Sequence, residues 1–297
     1  MRGDNVYEEI SSILYSCFPP IILGVILLIF VIALVRRKKL ESKEYMSFEV
    51  YKKDWQRSHM YQEQIDEAKR SGFNKWLKFN FILGKCLATV GFTPHLTSAL
   101  AFVLSTASAY YFIEAAIEIP SNLFLSDFYF ALAVALLLLS GLLDVLDGSI
   151  ARLTYSSTPF GDLLDNVADK YSDAIVLIAI VYGGLVNPLI GLAALLGSLL
   201  VDYARARTIG LGLRKTKVTI GERPFRMLII ASAVAFQFVA QLSAAMNIHV
   251  SIGGGAYLHE LFLGTVGWGI LALAILTHFS TIQIVIHARK NLPKEFS

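Results

Sequence analysis

The chain has 297 residues, 55% of them hydrophobic and 16% charged, with a mean hydropathy of +0.59. Soluble domains carry ~25% charged residues, so this balance excludes an ordinary soluble globular protein and points to an integral membrane protein. The net charge of +3 says little by itself, and no nucleic-acid partner is expected; the positions of the charges say more.

A first membrane span is expected at about Pro19–Val35, closed by Arg36, Arg37, Lys38 and Lys39. The basic cluster follows the apolar run, the reverse of a cleaved signal peptide, so residues 1–39 read as a retained transmembrane anchor. Residues 40–74 are polar, charged and aromatic with no helix-length apolar block, and read as a cytosolic, partly helical linker. Lys75–Val90 is too short and too basic to span. Trp76, Phe79, Phe81 and Ile82 interleave there with Lys75, Lys78 and Lys85, the pattern of a helix lying in the membrane interface. The alternative is that this stretch forms the first turns of the next span.

Six spans are expected after it, near Leu96–Ile117, Phe128–Leu146, Phe160–Tyr182, Leu189–Ile209, Phe225–Leu242 and Leu261–Ile286. Crossing ~30 Å of hydrocarbon takes roughly 20 apolar residues. Turn chemistry separates several of them: Ile119-Pro120-Ser121-Asn122, Thr158-Pro159, Gly183-Gly184 and Gly253-Gly254-Gly255. The expected fold is an all-α polytopic membrane protein. A six-helix core and its preceding interfacial helix form one domain over 75–297, with an extra N-terminal transmembrane helix. Cys17 and Cys86 are far apart and read as small apolar fillers.

Orientation follows from Lys and Arg. With Arg36–Lys39 in the cytosol and the spans alternating, all of the 26 Lys and Arg except Arg2 lie in or beside cytosolic segments. This puts the stretch Asp144–Asp169, DVLDGSIARLTYSSTPFGDLLDNVAD, at the cytosolic face, where one span ends and the next begins.

Ionised groups at membrane depth cost ~2.5–3.5 kcal/mol each at the bilayer centre, so a cluster of them needs a partner. Asp144 and Asp147 are three apart and share a helix face; Asp165 and Asp169 are four apart and share another. Consecutive antiparallel helices would bring both pairs to one depth. Four converging carboxylates repel unless cations lie between them, and an all-oxygen set suits a hard ion such as Mg²⁺. One or two such ions clamp a diphosphate. Gly148 and Gly161 remove side chains beside the carboxylates, Ala151 keeps the wall small, Arg152 offers a forked cation to phosphate, and Thr158 adds a hydroxyl.

Asp144, Asp147, Gly148, Ala151, Arg152, Gly161, Asp165 and Asp169 keep every spacing of the pattern D-x2-D-G-x2-A-R-x8-G-x3-D-x3-D. The stretch therefore resembles the CDP-alcohol phosphatidyltransferase family, and the likeness extends over about Lys75 to Ile286. The resemblance implies an enzyme in which the hydroxyl of an alcohol attacks a CDP-linked lipid and CMP leaves. It implies two Mg²⁺ ions, or Mn²⁺ in their place, on Asp144, Asp147, Asp165 and Asp169, with Asp169 also the base. It implies that Gly148, Ala151, Arg152 and Thr158 contact the CDP moiety. The family's Pro-Asn-x-x-Thr element stands here as Pro94-His95-Leu96-Thr97-Ser98, so Pro94 and either or both hydroxyls of Thr97 and Ser98 join the CDP-lipid set. A homodimer in the membrane lipid is implied as well.

A second region, DYARARTIGLGLRKTKVTIGERPFR over Asp202–Arg226, is similar to the phosphatidylinositol-phosphate and archaetidylinositol-phosphate synthase branch. Tyr203, Arg205, Ala206 and Arg207 match one element of that branch, and Glu222, Arg223, Pro224 and Arg226 match another. The likeness implies a phosphorylated polyol as acceptor, inositol 1-phosphate, with Arg205, Arg207 and Arg226 on its phosphate. Asp202 stands where Ser is usual and Thr208-Ile209 replace Ala-Glu, which keeps glycerol phosphate open as the acceptor. The lipid is CDP-diacylglycerol or CDP-archaeol; both present the same diphosphate. Two rivals differ in kind. An Asp-rich membrane prenyltransferase would carry two motifs on distant helices, and a cation transporter would hold its site near mid-bilayer between repeats.

Overall fold

Helix starts in this chain are set by proline and short polar side chains. In the computed structural model, residues 2–40, 45–59, 72–213, 223–245, 251–252, 256–257 and 264–292 are described. They form nine helices: α1 (Arg2–Leu40), α2 (Phe48–His59), α3 (Phe73–Val90), α4 (Pro94–Glu118), α5 (Leu123–Leu153), α6 (Pro159–Tyr182), α7 (Pro188–Gly210), α8 (Arg223–Ala245) and α9 (Thr265–Asn291). Asn122 Oδ1 accepts from Leu125 N at the head of α5, Thr158 Oγ1 from Gly161 N at the head of α6, and Asn187 Oδ1 from Leu189 N at the head of α7. Each supplies an acceptor for an amide that the helix itself cannot satisfy. A two-residue antiparallel pair, β1 (Ser251–Ile252) with β2 (Ala256–Tyr257), is a small addition to the all-helical plan. The glycine triplet 253–255 lies outside the described residues.

Helix ends use the left-handed cap. Gly91 follows α3 with φ of +108°; its N–H reaches Ala88 O and that of Phe92 reaches Leu87 O. Gly184 and Gly212 end α6 and α7 the same way. This paired arrangement satisfies two terminal carbonyls and favours a residue without Cβ. At α3 it also makes the helix separate from α4, so Lys75–Val90 is not the first part of the next span. Trp76, Phe79 and Ile82 on α3 are exposed, as an interfacial helix requires.

Among the described residues, five helical stretches are long and apolar enough to cross a membrane: Ser16–Arg37, Pro94–Glu118, Leu123–Leu153, Pro188–Gly210 and Thr265–Asn291. The other two expected spans differ for a physical reason. α6 carries Asp162, Asp165, Asp169, Lys170 and Asp173 in its first four turns, and the apolar run of α8 is short, Phe225–Val239. Large apolar side chains such as Phe124, Leu189 and Ile275 are exposed along these helices, which suits lipid as the solvent.

The chain divides into two compact units, Met1–Ala107 with Leu139–Asp169 and Ser108–Leu138 with Lys170–Ser297. In the first, α1 docks on the turn after α3: Ile29 and Ala33 are buried, and Phe30 meets Phe92 edge-on at 5.3 Å. In the second, Phe112, Ala133, Ile180, Ala194 and Ile270 are fully enclosed. Gly197 of α7 lies against Thr277 of α9, and Gly269 of α9 against Ala233 of α8. Small residues let helix backbones approach where lipid supplies no hydrophobic force between helices.

A Cβ at Gly91 would strike the Ala33 carbonyl and the Arg37 amide of α1 in a backbone region unsuited to L side chains. Gly91→Ala is therefore expected to lower the melting temperature and cost more than ~1–2 kcal/mol. Gly72→Ala, with φ of −63° and open space around it, is expected to leave the melting temperature unchanged.

Candidate active site

The end of α5 and the start of α6 belong to the same unit, and the turn between them is tight. α5 ends just after Arg152: Tyr155 N–H donates to Arg152 O, and Ser156 N–H to Ala151 O. This is the same left-handed cap, but the residue at the turn is Tyr155, with φ of +52°, the one non-glycine with positive φ among the described residues. A side chain there costs about 1–2 kcal/mol relative to glycine, and such strain clusters at functional sites. Thr158 then starts α6 only five residues after Leu153.

The turn brings the carboxylates together. Oxygens of Asp144, Asp147 and Asp165 lie within 4.8 Å of one another. Asp147 is 4% exposed. Asp169 stands one turn beyond Asp165 on α6, outside this 4.8 Å group. Ser98 Oγ donates to Asp147 Oδ2 at 2.5 Å and also lies 3.0 Å from Pro94 O. Thr97 is fully buried, and its hydroxyl donates to Thr93 O at 3.0 Å. The helix turns Ser98 toward the carboxylates and Thr97 away from solvent. Pro94 contributes as the first residue of α4 and through its carbonyl.

The remaining motif residues line the same turn. Arg152 Nη1 donates to Gly148 O at 3.2 Å, and a Cβ on Gly148 would come within 3.4 Å of that nitrogen. Ala151 is half-buried between them in the chain. A Cβ on Gly161 would press on Thr158 Oγ1 at 3.1 Å and stand 3.5 Å from His95 Cε1. The Thr158 hydroxyl accepts from Gly161 N, which leaves its own proton to donate.

The donor set fits a divalent cation. Three carboxylates converge with no imidazole or thiolate in the group, the chemistry of hard oxygen-seeking ions. Asp144, Asp147 and Asp165 would hold it, with the Asp147 carboxylate anchored by Ser98.

The second unit holds a separate charged group. Arg226, 3% exposed, bonds Asp173 Oδ2 at 2.6 Å and Asp202 Oδ2 at 3.2 Å. Lys170 Nζ reaches the same Asp202 oxygen at 2.6 Å, and Arg223 Nε stands 3.4 Å from Asp173 Oδ1. Arg205 is half-buried, whereas Arg207 is exposed. The two arginines do not form a pair, because residues two apart on a helix face different sides. Glu222 lies outside the described residues, as do Arg214, Lys215 and Lys217. Lys170 and Asp173 were not picked out by motif spacing, and Arg223 entered only as part of the Glu-Arg-Pro-x-Arg match. The signal was present, since ionisable residues inside otherwise apolar helices are rare without a role.

A family model described as CDP-alcohol phosphatidyltransferase matches residues 92–280. The chain belongs to the CDP-alcohol phosphatidyltransferase family. The archaetidylinositol phosphate synthase of Pyrococcus horikoshii is 32% identical over 213 residues, covering 71% of this chain and 90% of the relative. That of Methanothermobacter thermautotrophicus is 37% identical over 159 residues, covering 53% and 70%. The crystal structure of Mycobacterium tuberculosis phosphatidylinositol phosphate synthase with CDP-DAG bound matches with a TM-score of 0.52 at 21% identity, over 74% of this chain and 98% of that one, a likeness of fold. Another structure of that protein is in complex with manganese and citrate. The phosphatidyltransferase described here is thus a multi-pass membrane enzyme, a transferase of phospholipid biosynthesis. The prenyltransferase and transporter alternatives fall away.

Ser98→Ala is expected to reduce CMP release or divalent-cation affinity about 10–100-fold, the usual effect of removing a group that orients a metal-binding carboxylate. Thr97→Val should cost much less. Cation titration and CMP release, measured side by side on both variants, check the assignment of the hydroxyl.

Proposed function

We propose that this phosphatidyltransferase joins a CDP-lipid to inositol 1-phosphate, releasing CMP, with its active site at the cytosolic face. The observation that carries the acceptor is the group Lys170, Arg223 and Arg226 with Asp173 and Asp202, three cations against two carboxylates in a largely buried setting. A forked guanidinium suits a phosphate dianion. The relatives named archaetidylinositol phosphate synthases support the same acceptor. Arg205 and Arg226 are the arginines of the original set best suited to an acceptor phosphate, with Arg207 nearer solvent. Glycerol phosphate stays the second reading because Asp202, tied to both Lys170 and Arg226, alters the group where the branch has Ser. The lysine and arginine asymmetry supports the cytosolic orientation, and a homodimer is the expected assembly.

The chemistry follows from the residues. Asp169 takes the proton from the attacking hydroxyl, a task for a positioned carboxylate. The hydroxyl oxygen bonds to the phosphorus on the lipid side, the bond from that phosphorus to the bridging oxygen breaks, and CMP leaves with the electron pair. Mg²⁺, or Mn²⁺, when bound by Asp144, Asp147, Asp165 and Asp169, offsets the charge of the diphosphate and of departing CMP. Arg152, Gly148, Ala151 and Thr158 orient the CDP moiety, with CDP-diacylglycerol and CDP-archaeol both compatible.

CMP release by the purified enzyme with Mg²⁺ and CDP-diacylglycerol or CDP-archaeol, comparing inositol 1-phosphate, glycerol 3-phosphate, free inositol and serine, tests this reading. Release with inositol 1-phosphate alone is expected; release with only an unphosphorylated alcohol would overturn the acceptor assignment. Asp169→Asn is expected to abolish turnover while CDP-lipid still binds.

A further inference from the structure

Residues 46–59 precede the family match at residue 92 and carry no motif, yet they dock on the end of α5, the helix that carries Asp144, Asp147 and Arg152. Met46 N–H donates to Leu153 O at 3.1 Å. Met46, Tyr51, Leu77 and Leu153 form one buried cluster, flanked by Phe48, Trp55, Phe73 and Phe81. Ring contacts tie α2 to α3: Tyr51 with Phe81 at 5.5 Å, and Trp55 with Phe73 at 5.1 Å and Trp76 at 5.7 Å. α3 in turn packs closely on α5, since a Cβ on Gly84 would stand 3.2 Å from both Ser149 Cβ and Leu153 Cδ1.

Two polar contacts sit on this base. The Tyr51 hydroxyl, fully buried, is 2.9 Å from Ser149 Oγ. Ser149 gives its own proton to Val145 O at 3.1 Å, so Tyr51 is the donor. Burial raises the Tyr51 hydroxyl above its ordinary range, which keeps that proton in place. Asp54 Oδ2 stands 3.6 Å from Arg152 Nε. Tyr51 and Asp54 are three apart on α2, and Ser149 and Arg152 are three apart on α5. Each pair shares one face of its helix, so two rungs of one helix meet two rungs of the other. The Asp54 contact engages Nε while Nη1 bonds Gly148 O, which fixes the guanidinium at two points.

We propose that α2 is a positioning element for CDP-lipid recognition, in which Tyr51 sets the height of the Ser149–Leu153 turn and Asp54 orients the Arg152 guanidinium toward the nucleotide diphosphate. This rests on the reading that Arg152 contacts the CDP moiety. Asp54 is a positioning residue: it acts through Arg152 and is half-exposed, so its contribution is modest.

The test uses the full chain in mixed micelles with Mg²⁺, varying CDP-diacylglycerol at saturating acceptor and then the acceptor at saturating CDP-diacylglycerol. Asp54→Asn is expected to raise KM for CDP-diacylglycerol about two- to fivefold, with kcat, acceptor KM and melting temperature unchanged. Asp54→Glu should restore most of the affinity. In an Arg152→Lys background the Asp54→Asn effect should shrink, as coupled residues require. An unchanged KM in Asp54→Asn, a lowered KM (Asp54 competing with the ligand), or a change that tracks melting temperature would each overturn the proposal. Wild-type enzyme that releases no CMP from CDP-diacylglycerol, or Arg152→Ala with a wild-type KM, would instead remove the underlying reading, and this proposal with it.

Discussion

Charge at membrane depth must be answered by opposite charge, and this one constraint organises the molecule. Taking carboxylates out of water costs several kcal/mol each unless a cation or hydrogen-bond donors meet them. α5 carries its acids toward its end and α6 toward its start, on either side of one short loop. The result is a triad whose oxygens lie within 4.8 Å, with Asp147 almost wholly enclosed and held by Ser98. Such a group suits a divalent ion, and an ion held there would make a diphosphate a natural ligand.

The two units answer the constraint in different ways. Asp144, Asp147 and Asp165 face one another. Asp173 and Asp202 face Lys170, Arg223 and Arg226 from their own unit. The first arrangement suits a cation brought from outside, the second a built-in basic group whose geometry the acids define. A phosphate arriving at Lys170 and Arg226 would have to share them with Asp202. Nothing in bulk composition distinguishes the two groups; partner identity does.

Local backbone geometry supports both. Left-handed caps end α3, α6 and α7 at glycine, as sterics favour. The cap after Arg152 places Tyr155 in the same conformation at a cost in stability. The chain keeps that strained turn where α5 must stop, so that Thr158 can begin α6 and the acids can converge. The N-terminal region adds a second brace. What reads as a linker contains α2, whose aromatic face seats on α3 and whose polar face reaches Ser149 and Arg152.

The sequence by itself determined the membrane class, the helix breaks at Asn122, Thr158 and Gly184, and the carboxylate motif, because hydropathy, turn chemistry and helical spacing are local properties written in consecutive residues. It also carried Ser98 and Thr97 as equals, set Arg205 and Arg207 on one phosphate, and gave residues 40–74 only as a linker. Tertiary structure decided these. Rotation of α4 chose Ser98 for Asp147, packing of α7 left Arg205 half-buried and Arg207 exposed, and packing of α2 brought Tyr51 and Asp54 to residues 98 positions away in the chain. Lys170 and Arg226 met at Asp202 for the same reason. Contacts between distant segments depend on how helices pack, and helix packing is set by the summed fit of many side chains, which no single stretch of sequence displays.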